Sequence, residues 1–263
     1  MRIALVDSGI GMLSTASALH AARPDADLYL SMDPDHMPWG PRTPEQVIDR
    51  ALAGARAALD AAGSLDAVVV PCNTASVHGL NRLRTELEPD VPVIGTVPAI
   101  KPAAAAGTPI AVWSTEATTR SDYQQRLVVT FARDVAVTPV ACLGLAEAVE
   151  SADPARIGAA VAYAASLTPP EVRGVVLGCT HYDLVDEEIS RALSGRAELF
   201  TAARAVAAQT LRRVGAAEGS GQENATAPAS DRPGRVTVLA SGRPAELPPA
   251  ALTYPAGRSL LPR

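Results

Sequence analysis

Two cysteines, Cys72 and Cys179, are the residues of this chain best placed to do chemistry. Cys72 ends the run Ala67-Val68-Val69-Val70-Pro71-Cys72-Asn73-Thr74, and Cys179 ends Gly174-Val175-Val176-Leu177-Gly178-Cys179-Thr180-His181. Each thiol follows a short, mostly β-branched apolar strand and precedes small polar residues suited to starting a helix. In a parallel α/β sheet that is the carboxyl end of the strand, where such folds bind their ligands. A thiol there works as an acid or base once an Asp, a His or a helix start brings its pKa toward the working pH. Asp7, at the end of the first strand, and His181, two residues beyond Cys179, are the available neighbours. Two thiols on opposite sides of one carbon could remove a proton from one face and return one to the other, inverting the stereocentre.

The elements that must position these thiols repeat. Ile3-Ala4-Leu5-Val6-Asp7-Ser8 resembles Ile110-Ala111-Val112-Trp113-Ser114-Thr115, and the step from Ile3 to Ile110 (110 − 3 = 107) equals the step from Cys72 to Cys179 (179 − 72 = 107). The repeat predicts a duplication with one cysteine per copy. In the first copy we expect strands at Ile3 to Val6, Leu28 to Ser31, Ala67 to Val70 and Val93 to Gly95. Helices are expected from Leu13 to Ala22, from Pro44 to Ala62 with Thr43 as N-cap, and from Ala75 to Leu87. In the second copy strands are expected at Ile110 to Trp113, Val135 to Val140 and Val175 to Leu177, and helices at Asp122 to Phe131, Ala155 to Ser166 and Asp186 to Leu193. The expected organisation is a first α/β domain of residues 1-97 plus 208-263 and a second of 98-207. The stretch 218-233, rich in Gly, Ser, Pro and Asn, is expected to be a disordered surface linker. Arg235 to Leu239 then returns a strand to the first domain.

Composition narrows the function. At 263 residues with 48% apolar content the chain can bury two modest cores, and a net charge of −5 gives no electrostatic case for nucleic acid or an anionic membrane. The apolar stretch Ile3 to Val6 is too short for a signal h-region, and no run of about 18 apolar residues could span a bilayer, so we expect a cytoplasmic protein without a membrane partner. Three cysteines in such a chain read as thiols rather than a disulfide framework. Cys142, in Val140-Ala141-Cys142-Leu143, reads as a small core residue. His20, His36, His78 and His181 show no metal-ligand spacing, so no metal is expected. Lys101 is the only lysine and sits in a turn beside Pro102, a poor candidate for the Schiff base of a pyridoxal phosphate enzyme. Gly9-Ile10-Gly11 lacks the third glycine of a dinucleotide fingerprint, Ser14 standing in its place. No cofactor is expected. Each key residue also has a plainer reading: the cysteines as buried core, Asp7 as a helix cap, His181 as a partner for a backbone carbonyl.

Taken together, Asp7-Ser8-Gly9-Ile10-Gly11, Pro38-Trp39-Gly40, Cys72-Asn73-Thr74-Ala75-Ser76, Val97-Pro98-Ala99-Ile100-Lys101-Pro102 and Gly178-Cys179-Thr180-His181-Tyr182 resemble the cofactor-independent aspartate/glutamate racemase superfamily, and glutamate racemases in particular. Ala240-Ser241-Gly242 resembles the closing motif of that family. The resemblance implies two pseudo-symmetric flavodoxin-like α/β domains, with mainly parallel sheets facing a shared cleft that holds a small amino-acid substrate. It implies that Cys72 and Cys179 are the acid-base thiols, assisted by Asp7 and His181, with Glu150 as a further assisting acid. The substrate contacts it implies are Ser8, Pro38, Trp39, Gly40, Asn73, Thr74, Thr115, Thr118 and Thr180. The activity implied is interconversion of L- and D-glutamate, supplying D-glutamate for peptidoglycan, in an enzyme that is often a homodimer. The chain departs from the family in having Met12 for a usual glycine, Trp39 for a usual tyrosine and Ala117 for a usual glycine. Trp39 and Met12 motivate a second reading, a racemase of aspartate or another amino acid. A third is a degenerate, non-enzymatic relative, against which the retained set Cys72, Cys179, Asp7 and His181 argues.

Overall fold

The computed structural model describes residues 1–218 and 232–261 and divides into two compact units, Met1–Thr96 with Ala203–Arg263, and Val97–Ala202. The first unit begins β1 (Arg2–Val6), α1 (Leu13–Ala22), β2 (Asp27–Met32), α2 (Pro44–Ala62), β3 (Ala67–Val70), α3 (Asn73–His78), α4 (Leu80–Leu87) and β4 (Val93–Gly95). Residues Ile3 to Val6 and Ala67 to Val70 are almost wholly buried, as expected of parallel strands covered on both faces. Each such Val, Leu or Ile contributes roughly 1.5–3 kcal/mol through burial. Helix α2 starts where the sequence predicts. The Thr43 hydroxyl accepts from the Gln46 N–H, the Gln46 side chain accepts from the Thr43 N–H, and Pro44 occupies the first turn. Its Val47, Ala51, Leu52, Ala55 and Ala58 pack into one apolar cluster with Val6, Val68, Val70 and Cys72.

The second unit holds α5 (Ile100–Ala104), β5 (Ile110–Ser114), α6 (Glu116–Thr119), α7 (Asp122–Phe131), β6 (Val137–Ala141), α8 (Leu145–Ser151), α9 (Pro154–Ser166), β7 (Gly174–Leu177), α10 (Asp186–Ala192) and β8 (Glu198–Phe200). Its sheet runs β6-β5-β7-β8, all parallel. The chain then returns through α11 (Ala203–Glu218), β9 (Val236–Ala240), β10 (Arg243–Ala245) and α12 (Pro255–Arg258). That completes a first sheet of order β10-β9-β2-β1-β3-β4, parallel except for β10.

The repeat read from the sequence is present in hydrogen-bond register. The order β2-β1-β3-β4 matches β6-β5-β7-β8, and Ile3 pairs with Ala67 as Ile110 pairs with Gly174. The step is 107 residues in both strands (110 − 3 and 174 − 67), so the two copies correspond residue for residue at the thiol-bearing ends.

Some expectations change. The helix predicted from Ala75 to Leu87 starts at Asn73 and divides at Gly79, where an added Cβ would lie 3.1 Å from the Ala75 carbonyl oxygen and 3.8 Å from Ile48 Cα; the glycine allows the chain to turn close against α2. Residues 203–207, expected in the second domain, belong to the first, because they form the opening turns of the single helix α11. Strand β10 has no signal in the sequence: Arg243-Pro244-Ala245 carries no apolar alternation, and proline is tolerated there only because the strand is an edge. Most of the predicted 218–233 linker lies outside the described residues.

Candidate functional site

At the carboxyl end of the first sheet, β1 and β3 are neighbours in register from Ile3–Ala67 to Leu5–Val69, so Asp7 and Cys72 leave adjacent strands at nearly the same level. Cys72 is 7% exposed and stands in extended backbone just before α3. Asp7 is 1% exposed; its Oδ1 accepts from the Ser8 backbone N–H at 2.7 Å and faces the Ser8 hydroxyl at 3.4 Å. Asp7 directly precedes Ser8 and Gly9, the latter at the N-cap position of the turn Ile10–Met12. Asn73, buried, and Thr74, half-buried, open α3 directly after the thiol.

Ser76 fixes that opening turn. Its hydroxyl donates to the Val70 carbonyl at 2.9 Å and accepts from the Thr96 N–H at 2.9 Å, joining the last residue of β3 to the chain beyond β4. The segment Pro38-Trp39-Gly40 belongs to the same unit, with Pro38 and Gly40 half-buried. Trp39 itself is 1% exposed and donates its indole N–H to Asp33 Oδ2 at 3.1 Å, its ring lying in the apolar cluster of Val6, Val47 and Cys72. Trp39 is therefore core, and its polar atom is used within the protein.

In the second unit Trp113 of β5 pairs with Leu177 of β7, which places Cys179 beyond the same end of its sheet. Gly178 lets the two strands close: its N–H donates to the Trp113 carbonyl at 2.7 Å, and a Cβ there would lie 2.9 Å from that oxygen. Cys179 is followed by the 3-10 turn Thr180–Val185, not by an α-helix as in the first copy. His181, 6% exposed, presents Nδ1 to Cys179 Sγ at 3.9 Å and Nε2 to Glu150 Oε2 at 2.8 Å. With Nε2–H donated to the carboxylate, Nδ1 carries the lone pair that can accept a thiol proton. Helix α8 thus delivers Glu150 to the outer edge of the imidazole.

Thr115 caps α6, its hydroxyl accepting from the Thr118 N–H at 3.4 Å and donating to the Thr118 hydroxyl at 3.0 Å; both residues are half-buried. Thr180 is 9% exposed. Cys142 is buried and its thiol donates to the Val140 carbonyl at 3.7 Å; burial pushes that thiol well above the ordinary range, as befits a core residue. Asp183 carries no signal in the sequence, yet burial and the nearby Asp186 push its carboxyl up to about 8 against the pull of His181.

The sequence-predicted residues thus fall into two groups by unit. Asp7, Ser8, Pro38, Trp39, Gly40, Cys72, Asn73 and Thr74 belong to the first, and Thr115, Thr118, Cys179, Thr180 and His181 to the second. Sequence reasoning misses Asp33, Ser76 and Ser241, although Asp33 follows β2 as Asp7 follows β1, a parallel legible in the sequence. Among the described residues no group of three or more His, Cys, Asp or Glu side chains could hold a metal ion, and no helix is long and apolar enough to cross a membrane.

Residues 8–210 match the family model described as Asp/Glu/Hydantoin racemase. A glutamate racemase of Herpetosiphon aurantiacus is 34% identical over 221 residues, 82% of this chain and 85% of that protein. A glutamate racemase of Ralstonia pickettii is 34% identical over 227 residues, 84% of this chain and 79% of that protein. Among solved structures, Escherichia coli glutamate racemase in complex with L-glutamate and the activator UDP-MurNAc-ala matches with a TM-score of 0.79 and 27% identity, covering 95% of this chain and 91% of that one.

Proposed function

The chain belongs to the Asp/Glu/hydantoin racemase family, and from that membership we propose that it is a glutamate racemase that needs no cofactor, with Cys72 and Cys179 as its two acid-base groups. The observation that carries the proposal is the pair of thiols at register-equivalent strand ends of two copies of one sheet, each with polar neighbours of its own.

In the proposed reaction one thiolate removes the Cα proton, and the resulting carbanion, delocalised into its carboxylate, takes a proton from the other thiol. Running the steps in reverse order converts the other enantiomer. Asp7 assists Cys72. His181 assists Cys179, accepting its proton at Nδ1 while Glu150 holds Nε2–H and favours the imidazolium that forms. Asn73, Thr74, Thr115, Thr118 and Thr180 supply amide and hydroxyl donors for the substrate carboxylates, and Ser8 with Pro38-Trp39-Gly40 contact the substrate through the Ser8 side chain and the loop backbone. The product D-glutamate would serve peptidoglycan synthesis in the cytoplasm, and the enzyme would act as a homodimer.

Met12 and Trp39 motivate a changed specificity; Met12 is 0% and Trp39 1% exposed and the Trp39 indole N–H is bonded to Asp33, which favours the glutamate reading. A non-enzymatic role has no use for a histidine bonded between a thiol and a carboxylate. The test is incubation of the purified protein with L-glutamate in deuterated buffer without added cofactor. We expect deuterium at Cα together with D-glutamate, both lost in Cys72→Ser and in Cys179→Ser. An unchanged racemisation rate in Cys179→Ser would refute the two-thiol mechanism, and exchange on L-aspartate alone would change the substrate.

A further inference from the structure

We propose that Asp33 is a positioning residue that sets the substrate-contacting segment Pro38-Trp39-Gly40, and that Trp39 serves as the anchor of this segment; the inference rests on the glutamate racemase reading above. Asp33 directly follows β2 and is 7% exposed. Its Oδ2 accepts the Trp39 indole N–H at 3.1 Å, and its Oδ1 accepts the Ser241 hydroxyl at 2.8 Å and lies 3.0 Å from His36 Nδ1. One carboxylate therefore ties three separate pieces of chain: the end of β2, the loop that carries Trp39, and the turn between β9 and β10. Burial alone would raise the Asp33 pKa, yet the bonds from His36, Ser241 and Trp39 hold it below the ordinary value, so the hub stays charged across the neutral range.

Close packing does not fix the loop from every side. A cavity of about 180 Å³ borders Asp33, His36, Trp39 and Ser241, and reaches Val6 and Asp7 at the end of β1. On that side the loop is held by directed bonds, which define position more sharply than apolar contact does. The turn is also built for this contact. Ser241 has φ 46° and Gly242 φ 81°, so a non-glycine residue sits in the left-handed region at a tight hairpin. Its hydroxyl offsets that strain by donating to Asp33 while accepting the Asp35 N–H at 3.2 Å. A tyrosine at position 39 would carry its polar atom on a different part of the ring, so the bond to Asp33 as it stands depends on the indole N–H.

Because Asp33 acts through Trp39, its loss is expected in substrate affinity. Trp39→Phe keeps an aromatic ring and removes the N–H, and should raise KM for L-glutamate roughly tenfold with kcat changed less than about twofold. Ser241→Ala, at the outer end of the hub, should raise KM in the same sense by about threefold. Asp33→Asn, which retains one acceptor oxygen, should fall short of the effect of Asp33→Ala. An independent readout is the indole N–H resonance of Trp39 in 15N-labelled protein, one of two in the chain because only Trp39 and Trp113 are present. It should move in both Asp33→Asn and Ser241→Ala while that of Trp113, bonded to Thr168 Oγ1 at 2.9 Å, stays in place. A folded Trp39→Phe with unchanged KM, or one that loses kcat at constant KM, overturns the positioning role, and so does a Trp39 resonance indifferent to Asp33. Should Trp39→Phe not fold, Ser241→Ala decides on the same KM criterion. Wild-type protein inactive on glutamate would refute the functional reading instead, while the resonance still tests the hub.

Discussion

Glu150→Gln isolates the support given to one of the two thiols. Glu150 Oε2 lies 2.8 Å from His181 Nε2, with side-chain exposures of 19% and 8%, so the contact is a partly buried, charge-assisted hydrogen bond. Such bonds contribute about 1.5–3 kcal/mol, which corresponds to roughly 10- to 100-fold in rate if the charge matters only when His181 becomes cationic. Because the equilibrium constant of a racemisation is one, kcat/KM must fall by the same factor for both enantiomers, and the direction-dependent signal lies in isotope effects. If Cys179 and His181 act together, Glu150→Gln slows only the proton transfer at that thiol. The Cα-deuterium effect should then rise for the enantiomer whose Cα–H faces Cys179. It should fall toward one for the other, where Cys179 delivers the final proton from solvent-exchanged thiol. Competitive deuterium isotope effects measured separately on D- and L-[2-2H]glutamate read this directly. Equal isotope effects in both directions, or a loss under threefold, would refute the Glu150–His181–Cys179 chain.

Two further expectations follow from the same strand ends. Gly178→Ala places a Cβ 2.9 Å from the Trp113 carbonyl oxygen and 3.1 Å from Ser114 Cβ, forcing β5 and β7 apart beneath Cys179; we expect kcat/KM to fall about 100-fold in a folded protein, and a loss under threefold refutes the fit. Asp183 has a folded pKa of about 8 against 3.8 for the same group in water, so the stability it contributes is present below 3.8 and is lost as pH rises from there through about 8. Asp183→Asn should therefore flatten the decline of Tm between about pH 5 and 9, as thermal scans in matched buffers will show, and an undiminished decline refutes the assignment.

The thiols are legible in the sequence because parallel strands announce themselves as buried apolar runs, and a cysteine closing two such runs at one offset is hard to ascribe to chance. Helix α2 is legible to the residue, since Thr43, Pro44 and Gln46 form a capping set that depends on local chain alone. What stays hidden depends on contacts distant in sequence. Glu150 meets His181 across 31 residues and Ser241 meets Asp33 across 208; no periodicity encodes either contact, and only the family resemblance points to Glu150 and to the segment holding Ser241. Trp39 reads in the sequence only as a loop aromatic; that it is buried and gives its N–H to Asp33, six residues away, shows only in the structure.

The two copies share a frame, but the residues beside their thiols differ, and the proposed mechanism gives those residues different tasks. The step of 107 residues that maps Cys72 onto Cys179 maps Asp7 onto Ser114, which is 0% exposed and donates to Gln124 Oε1 at 2.7 Å. The same step maps Thr74 onto His181, so the second copy carries an imidazole where the first carries a hydroxyl. A sheet fixes where a strand end points but leaves the residues beyond it free to vary, because they lie outside the hydrogen-bond ladder. Duplication thus accounts for two thiols at equivalent positions, and in the proposed mechanism a carboxylate serves one and a carboxylate-backed histidine the other. Thiols with unlike supports respond differently to pH and to substitution, which is why an isotope effect read in each direction can tell them apart where a single rate constant cannot.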